Sequence, residues 1–235
     1  MYKVVFLDLD NTLFSFDNMY EKVSQQALQH VIGLNQLGIS FDVFYDQFRS
    51  IADQLYFEVE KGQRSMDSYR DERWIRTFKS FQIPVDHDMM NQLNKFIISN
   101  YLEFVEPYEG AKEFLGLLQE RYRVGLITNG AVDMQRAKLE RMNMLPFFEE
   151  KLIVISEEVG VSKPDPGIFH SALTSAGISP TEAVHFGDSI HHDIKGANLV
   201  GMSSALIHTE VSDQQLPTYR FQDFFDATKG FLNER

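Results

Sequence analysis

Apolar residues along this chain fall into two patterns that do not mix. Five short runs, Val4–Leu9, Arg123–Ile127, Leu152–Ile155, Ala183–Phe186 and Ser204–Ile207, are nearly continuous, as strands buried in a sheet are. The last four are separated by stretches with helical spacing: "EFLGLL" (Glu113–Leu118), Val132–Met142 and Ile168–Ala176. Strands alternating with helices predict an α/β fold, a parallel sheet with helices on both faces. Between Asp17 and about Val105 the strand-like runs stop. Long helical stretches replace them at Tyr20–Leu37, Phe41–Glu60, Ser65–Phe81 and Asp86–Asn100, with "EKGQR" and "QIPVDHD" as turns. The chain therefore divides into a core of residues 1–16 and 106–235 and an inserted all-α block of residues 17–105. "FVEPYEG" marks the return to the core, and no internal repeat is visible.

Local signals sharpen two boundaries. In "SPTE", Ser179 is an N-cap, Pro180 fits the first helical turn and Glu182 completes a capping box. In "KPDPGIF", Asp165 caps and Pro166 opens a helix. Pro164 biases Lys163 towards an extended backbone, so that lysine is expected on a loop rather than on a helix face.

The first apolar run ends on charge. "FLDLDNTLFSFD" carries Asp8 and Asp10, then a threonine, and charge at the end of a buried strand is costly unless something pairs with it. In an open parallel sheet, ligands bind beyond the carboxyl ends of the strands. The other strand ends offer Thr128 and Asn129 in "ITNG", Lys163 in "SKPDP", and Asp188 and Asp193 in "GDSIHHDI". Four carboxylates, one lysine and one hydroxyl would converge. Carboxylates at that density need compensating charge, and a hard divalent cation with oxygen ligands, usually Mg²⁺ beside phosphate, supplies it. Thr128 and the amides around Asn129 would donate to phosphate oxygens, which would also face helix N-termini.

Composition narrows the partners. The formal charge of −12 disfavours nucleic acid and anionic membrane surfaces, yet a local cation still permits a small phosphorylated substrate. There is no cysteine, hence no thiolate nucleophile and no Cys metal site. The opening "MYKVVFLDLD" meets acid too early for a signal peptide, and no run approaches the ~18 apolar residues of a membrane span. A cytoplasmic protein is expected, with monomer and homodimer both open.

The motifs "DLDNT", "ITNG", the lysine of "SKPDP" and "GDSIHHDI", in that order and each at an expected strand end, resemble the haloacid dehalogenase-like (HAD) superfamily. They span the core from end to end, and the helical block stands where that family carries its helical cap. The resemblance implies a Rossmann-like core and a covalent mechanism. Asp8 would attack phosphorus and form a phosphoaspartate. Asp10 would protonate the leaving oxygen and then deprotonate the hydrolytic water. Mg²⁺ would be held by the Asp8 carboxylate, the Asp10 main-chain carbonyl and Asp188, with Asp193 supporting the shell through water or Lys163. Lys163 and Thr128 would orient the transferring group. "TLFSFD" and "ISEEVGVSKPDPGIF" are similar to bacterial pyrimidine 5′-nucleotidases, which implies a nucleoside monophosphate substrate. Sugar-phosphate phosphatases carry related segments, so that alternative stays open, as do a phosphomutase and a non-catalytic phospho-ligand scaffold. Dehalogenation fits poorly, because it has no use for Asp10 as an acid or for a metal.

Other residues have weaker claims. Phe14 and Phe16 follow the nucleophile and could stack on a base; Tyr56 and Arg73, in the helical block, are candidates for substrate contact. His191 and His192 read as polar residues at the site mouth rather than metal ligands, since Mg²⁺ prefers oxygen. Asp193 could equally cap the helix "IKGANL".

Overall fold

The computed structural model describes residues 1–33, 36–60, 62–209 and 217–232. The chain forms two compact units, Met1–Phe16 with Val105–Arg235, and Asp17–Phe104. Val105 thus falls with the first unit rather than with the helical block.

The first unit is built on a six-stranded parallel sheet, β1 (Val4–Leu7), β2 (Arg123–Thr128), β3 (Ile153–Ile155), β4 (Ala183–Gly187), β5 (Ser203–Ile207) and β6 (Tyr219–Phe221), in the order β3-β2-β1-β4-β5-β6. The order reverses at β1, which pairs with β2 on one side and β4 on the other. That is the switch point at which open α/β sheets form their crevice. The residue just past β1 is Asp8, whose amide donates to Phe186 O at 2.8 Å.

Both faces of the sheet are covered. On one, Val4, Phe6, Ile127 and Val154 pack with Ile168, Phe169 and Leu173 of helix Pro166–Ala176. On the other, Phe186 meets Phe114 at 5.5 Å and Phe231 at 5.1 Å between ring centroids. Asp165 caps the helix as expected, accepting from the Gly167 amide, with Pro166 at its first position.

Several boundaries differ from the sequence reading, each for a local reason. The first strand stops at Leu7, not Leu9. The chain turns there: the Thr12 and Leu13 amides both donate to Leu9 O, and Asn11 takes the left-handed φ of 59° that asparagine tolerates. The helix expected from Ser179 is one 3₁₀ turn, Pro180–Glu182, although its capping box forms. Strand β6 and the short helix Phe224–Ala227 were not expected. Three residues are too few to show a period.

The second unit is helical. Among the described residues its α-helices are Phe16–Val31, which starts at the junction, Phe41–Glu60, Met66–Ser80 and His87–Asn100. The first ends earlier than Leu37, near Gly33 with φ 83°. Aromatic rings fill its core: Phe48 lies 4.2 Å from Trp74 and Phe44 5.0 Å from Phe78. Among the described residues no helix is long and apolar enough to cross a membrane.

Close packing of β1 on β2 depends on Gly125, which sits opposite Phe6. A Cβ there would lie 2.6 Å from the Phe6 ring and 2.9 Å from Leu152 O. Gly125→Ala should therefore overpack the core and cost ~1–3 kcal/mol, read as a lower urea midpoint with unchanged slope. An unchanged midpoint would show that β1 and β2 can separate without penalty.

Candidate active site

The strand ends bring three of the four carboxylates together. Asp8, Asp188 and Asp193 each offer an oxygen within 4.8 Å of the others. Lys163, only 3% exposed, lies between two of them, with Nζ 2.6 Å from Asp8 Oδ1 and 2.6 Å from Asp193 Oδ1. Its backbone is gripped from β2: the Lys163 amide donates to Asn129 Oδ1 at 2.7 Å, and Asn129 Nδ2 donates to Lys163 O at 3.0 Å. The Asn129 side chain therefore orders the lysine loop. Its side-chain amide is committed there, and only its backbone amide keeps the phosphate-donating role expected from the sequence.

Asp193 is fully buried. Its Oδ1 also takes His185 Nε2 at 2.9 Å, and its Oδ2 accepts from the Ser189 amide at 3.0 Å. It does not cap the following turn. The N-cap position of helix Lys195–Leu199 is Ile194, with no side-chain cap, and Ser189 caps the preceding turn, Ile190–Ile194, in which Asp193 itself lies, accepting from the His192 amide. Asp193 reaches Lys163 because Gly187 has no side chain: a Cβ there would lie 2.2 Å from Asp193 Cγ. Asp188 accepts from Thr12 Oγ1 at 3.1 Å. Thr12 was visible in the opening motif, but a lone hydroxyl gave no hint of its partner. His192 Nδ1 lies 3.1 Å from Ser189 Oγ, and the rings of His191 and His192 lie edge to face at 5.0 Å.

The charge balance is uneven. Burial pushes the Asp8 carboxyl up to about 8; Lys163 opposes this, and Asp193 and Asp188 add to it. Burial and Asp193 push Asp188 up to about 7. Burial would also raise Asp193, but Lys163 and His185 override it and hold Asp193 below the usual carboxylate range. Lys163 in turn is held above the ordinary lysine range by Asp193 and Asp8, against the effect of its own burial. Burial keeps His185 below its usual value. One ammonium thus cannot balance three carboxylates: Asp8 and Asp193 share it, and Asp188 has no cation partner among the described residues. A hard divalent cation fits that deficit. Asp8 and Asp188 would hold it, and it would supply the counter-charge that these carboxylates lack.

Asp10 turns away from this cluster. Its Oδ1 and Oδ2 lie 2.7 Å and 3.0 Å from Lys138 Nζ, and Gln135 Nε2 donates to Oδ2 at 3.1 Å. The same Nε2 lies 2.8 Å from Thr128 Oγ1 and 2.7 Å from Asn129 O, so its two protons are shared among three acceptors. Both residues lie on helix Val132–Arg141 and are buried. Sequence reasoning passed over them. Their signal, two polar residues one turn apart beside "ITNG", does not separate an inward face from a solvated one.

Phe14 is fully buried and bridged to Pro107. The platform role considered for it is corrected to core packing. Phe16 is half-buried, with Lys138 Nζ 5.1 Å from its ring centre. In the helical unit, the Arg73 guanidinium lies over the rings of Tyr20 at 4.8 Å, Phe48 at 5.4 Å and Tyr69 at 4.8 Å. Among the described residues it has no carboxylate partner, and its Nε–H finds no acceptor. Tyr56 stands edge-on to Tyr69 at 5.6 Å.

A family model described as haloacid dehalogenase-like hydrolase matches residues 2–201. The chain belongs to that family. Among its relatives, glyceraldehyde 3-phosphate phosphatase of Pyrococcus furiosus is 30% identical, over 86% of this chain and 79% of its own length. Pyrimidine 5′-nucleotidase YjjG of Escherichia coli is 28% identical, over 92% and 91%. A magnesium-bound crystal structure of the HAD-hydrolase YfnB from Bacillus subtilis superposes with TM-score 0.78 at 22% identity, covering 97% of each chain. At that identity the superposition speaks for the HAD fold alone.

The raised carboxylates give a thermodynamic signature. Their folded pKa values lie above the ordinary 3.8. In the metal-free protein their penalty is therefore absent below about pH 4 and grows as pH rises towards 7–8. A cation that binds their ionised form relieves it. Mg²⁺ should accordingly raise the melting temperature more at pH 8 than at pH 5, in a buffer series of constant ionic strength. No Mg²⁺-dependent shift, or one equal at both pH values, would exclude a cation at Asp8 and Asp188.

Proposed function

We propose that this HAD hydrolase is a Mg²⁺-dependent phosphomonoesterase acting on a nucleoside 5′-monophosphate through a phosphoaspartate on Asp8. One observation carries the reading. A nucleophile-type carboxylate, Asp8, sits at the switch point with Lys163 2.6 Å away, while the carboxylate two residues on, Asp10, is held by a different cation. A dehalogenase-type displacement needs the first carboxylate alone. Phosphoryl transfer from an alcohol needs both.

The chemistry follows from those residues. An oxygen of Asp8 attacks phosphorus; the ester P–O bond breaks and its electron pair leaves with the alcohol oxygen, which takes a proton from Asp10. Asp10 then removes a proton from water, whose oxygen attacks the phosphoaspartate and restores the Asp8 carboxylate. Lys163 and Thr128 face the charge that accumulates on the transferring group. Mg²⁺ supplies, when bound, further counter-charge at Asp8 and Asp188.

For the leaving group, a pyrimidine base is favoured by the pyrimidine 5′-nucleotidase relatives, and Arg73 is a candidate for contact with it. A buried guanidinium with a donor to spare suits the carbonyl oxygens of a flat base. Phe16 and Tyr56 remain candidates for stacking. Triose and sugar phosphates are the second reading, favoured by the glyceraldehyde 3-phosphate phosphatase relatives.

Phosphate release across nucleoside monophosphates and sugar phosphates, with and without EDTA, separates these readings. Pyrimidine 5′-monophosphates should lead, and chelation should abolish turnover. Asp8→Asn should be inactive and Asp10→Asn slowed ~10²–10⁴-fold. Arg73→Met should raise KM for uridine 5′-monophosphate about tenfold, equivalent to losing one charge-assisted hydrogen bond, with p-nitrophenyl phosphate little affected. A broad preference for triose or sugar phosphates would hand the assignment to the second reading. Near-normal rates for Asp8→Asn would remove the covalent mechanism.

A further inference from the structure

We infer that Lys138, seconded by Gln135, is a positioning residue for proton transfer by Asp10, and that Asp10 Oδ1 is the atom through which the proton passes. The inference rests on the phosphomonoesterase reading and deepens it.

An aspartate carboxylate turns almost freely about its terminal torsion, whose distribution is broad and two-fold. A proton-transfer group with that freedom presents its oxygen to the leaving group only part of the time. Asp10 is not free in this way. Two donors from one helix face, at positions three apart, fix its plane. Lys138 Nζ spans both oxygens at 2.7 and 3.0 Å, and Gln135 Nε2 adds a third contact at 3.1 Å to Oδ2.

The donor count assigns the roles. An ammonium has three protons. Lys138 directs them to Asp10 Oδ1, Asp10 Oδ2 and Gln135 Oε1, the last at 2.7 Å. With the side chain 3% exposed, no donor is left for a phosphate oxygen. Lys138 therefore acts through Asp10, unlike Lys163, which faces the nucleophile. The acceptor count assigns the atom. Each carboxylate oxygen has two lone-pair sites. Among the described residues, Oδ2 lies within reach of Lys138 Nζ and, at 3.1 Å, of Gln135 Nε2, whose two protons are shared with Thr128 Oγ1 and Asn129 O, whereas Oδ1 has Lys138 alone. The Asp10 side chain is 27% exposed, so the remaining site on Oδ1 can be reached.

Gln135 extends the arrangement. It donates to Thr128 Oγ1 at 2.8 Å as well as to Asp10. The hydroxyl expected at the transferring group and the carboxylate expected at the leaving oxygen are thus tied to one amide. Their separation is set by a side chain that touches neither phosphorus nor the leaving group.

Leaving-group dependence tests this, because only a poor leaving group needs the proton. kcat/KM covers the steps up to departure of the alcohol. It should be measured for wild type and Lys138→Met with p-nitrophenyl phosphate, whose phenolate leaves unprotonated, and with the alkyl 5′-monophosphate turned over fastest. Misplacing a proton donor costs on the order of 10²-fold. The alkyl ester should lose at least ~10-fold more than the aryl ester, with the inhibition constant for inorganic phosphate unchanged, and Lys138→Arg should recover part of the loss. Gln135→Met, which leaves the ion pair in place, should show the same discrimination more weakly and keeps the test available if Lys138→Met does not fold. Equal losses on both esters, a weakened phosphate inhibition constant, or no loss at all would each overturn the positioning role. Wild-type protein that releases phosphate from neither ester would instead overturn the phosphomonoesterase reading, and this inference with it.

Discussion

A single buried ammonium organises the end of the sheet. Lys163 lies between Asp8, which follows β1, and Asp193, which follows β4, and its backbone is held by Asn129 beyond β2. Segments from four parts of the chain thus depend on one charge. Breaking a buried ion pair by removing one partner costs roughly 3–5 kcal/mol, because the other charge is left uncompensated. Here two partners would be left. The surrounding details serve this contact. Gly187 lets Asp193 approach, and the Ser189 amide and His185 Nε2 give Asp193 further partners beside Lys163.

The same contact is electrostatically incomplete, and that matters for function. Three carboxylates around one lysine leave Asp8 and Asp188 with their ionised forms disfavoured. A second buried lysine would neutralise the cluster, yet would leave no place for a cation beside Asp8 and Asp188. The deficit is the kind of local cost that folds carry at working sites. It is tolerable because the strands that carry it are anchored by apolar layers on both faces.

How much of this was legible in the sequence depended on whether charge broke an apolar pattern. Asp8, Asp188 and Lys163 stood out because each follows a buried run or a proline-defined loop. The parallel sheet and the helices between its strands followed from the same alternation. Residues embedded in mixed patterns were not legible. "VDMQRAKLER" has polar and apolar residues on every face, so nothing singled out Gln135 and Lys138, although both are buried. Asn129 was recognised but its partner was not, since an amide serves a backbone or a ligand equally well. Phe14 and Phe16 looked alike in sequence. Only tertiary burial distinguishes the core ring from the half-buried one.

The separation of Asp8 from Asp10 follows from where the strand stops. In a continuing strand, residues two apart point to the same side. Both carboxylates would then compete for Lys163 and raise each other's cost of ionisation. Instead β1 ends at Leu7, and the turn over Leu9 to Leu13, with Asn11 in the left-handed region, carries Asp10 to a second cation. The two carboxylates therefore have different neighbours, Lys163 with Asp188 and Asp193 for one, Lys138 with Gln135 for the other. A nucleophile and a proton-transfer group need that difference, because one must keep a lone pair for phosphorus while the other exchanges a proton. A turn that an asparagine makes inexpensive thus does what charge alone could not: it gives two identical side chains, two residues apart, separate chemistry.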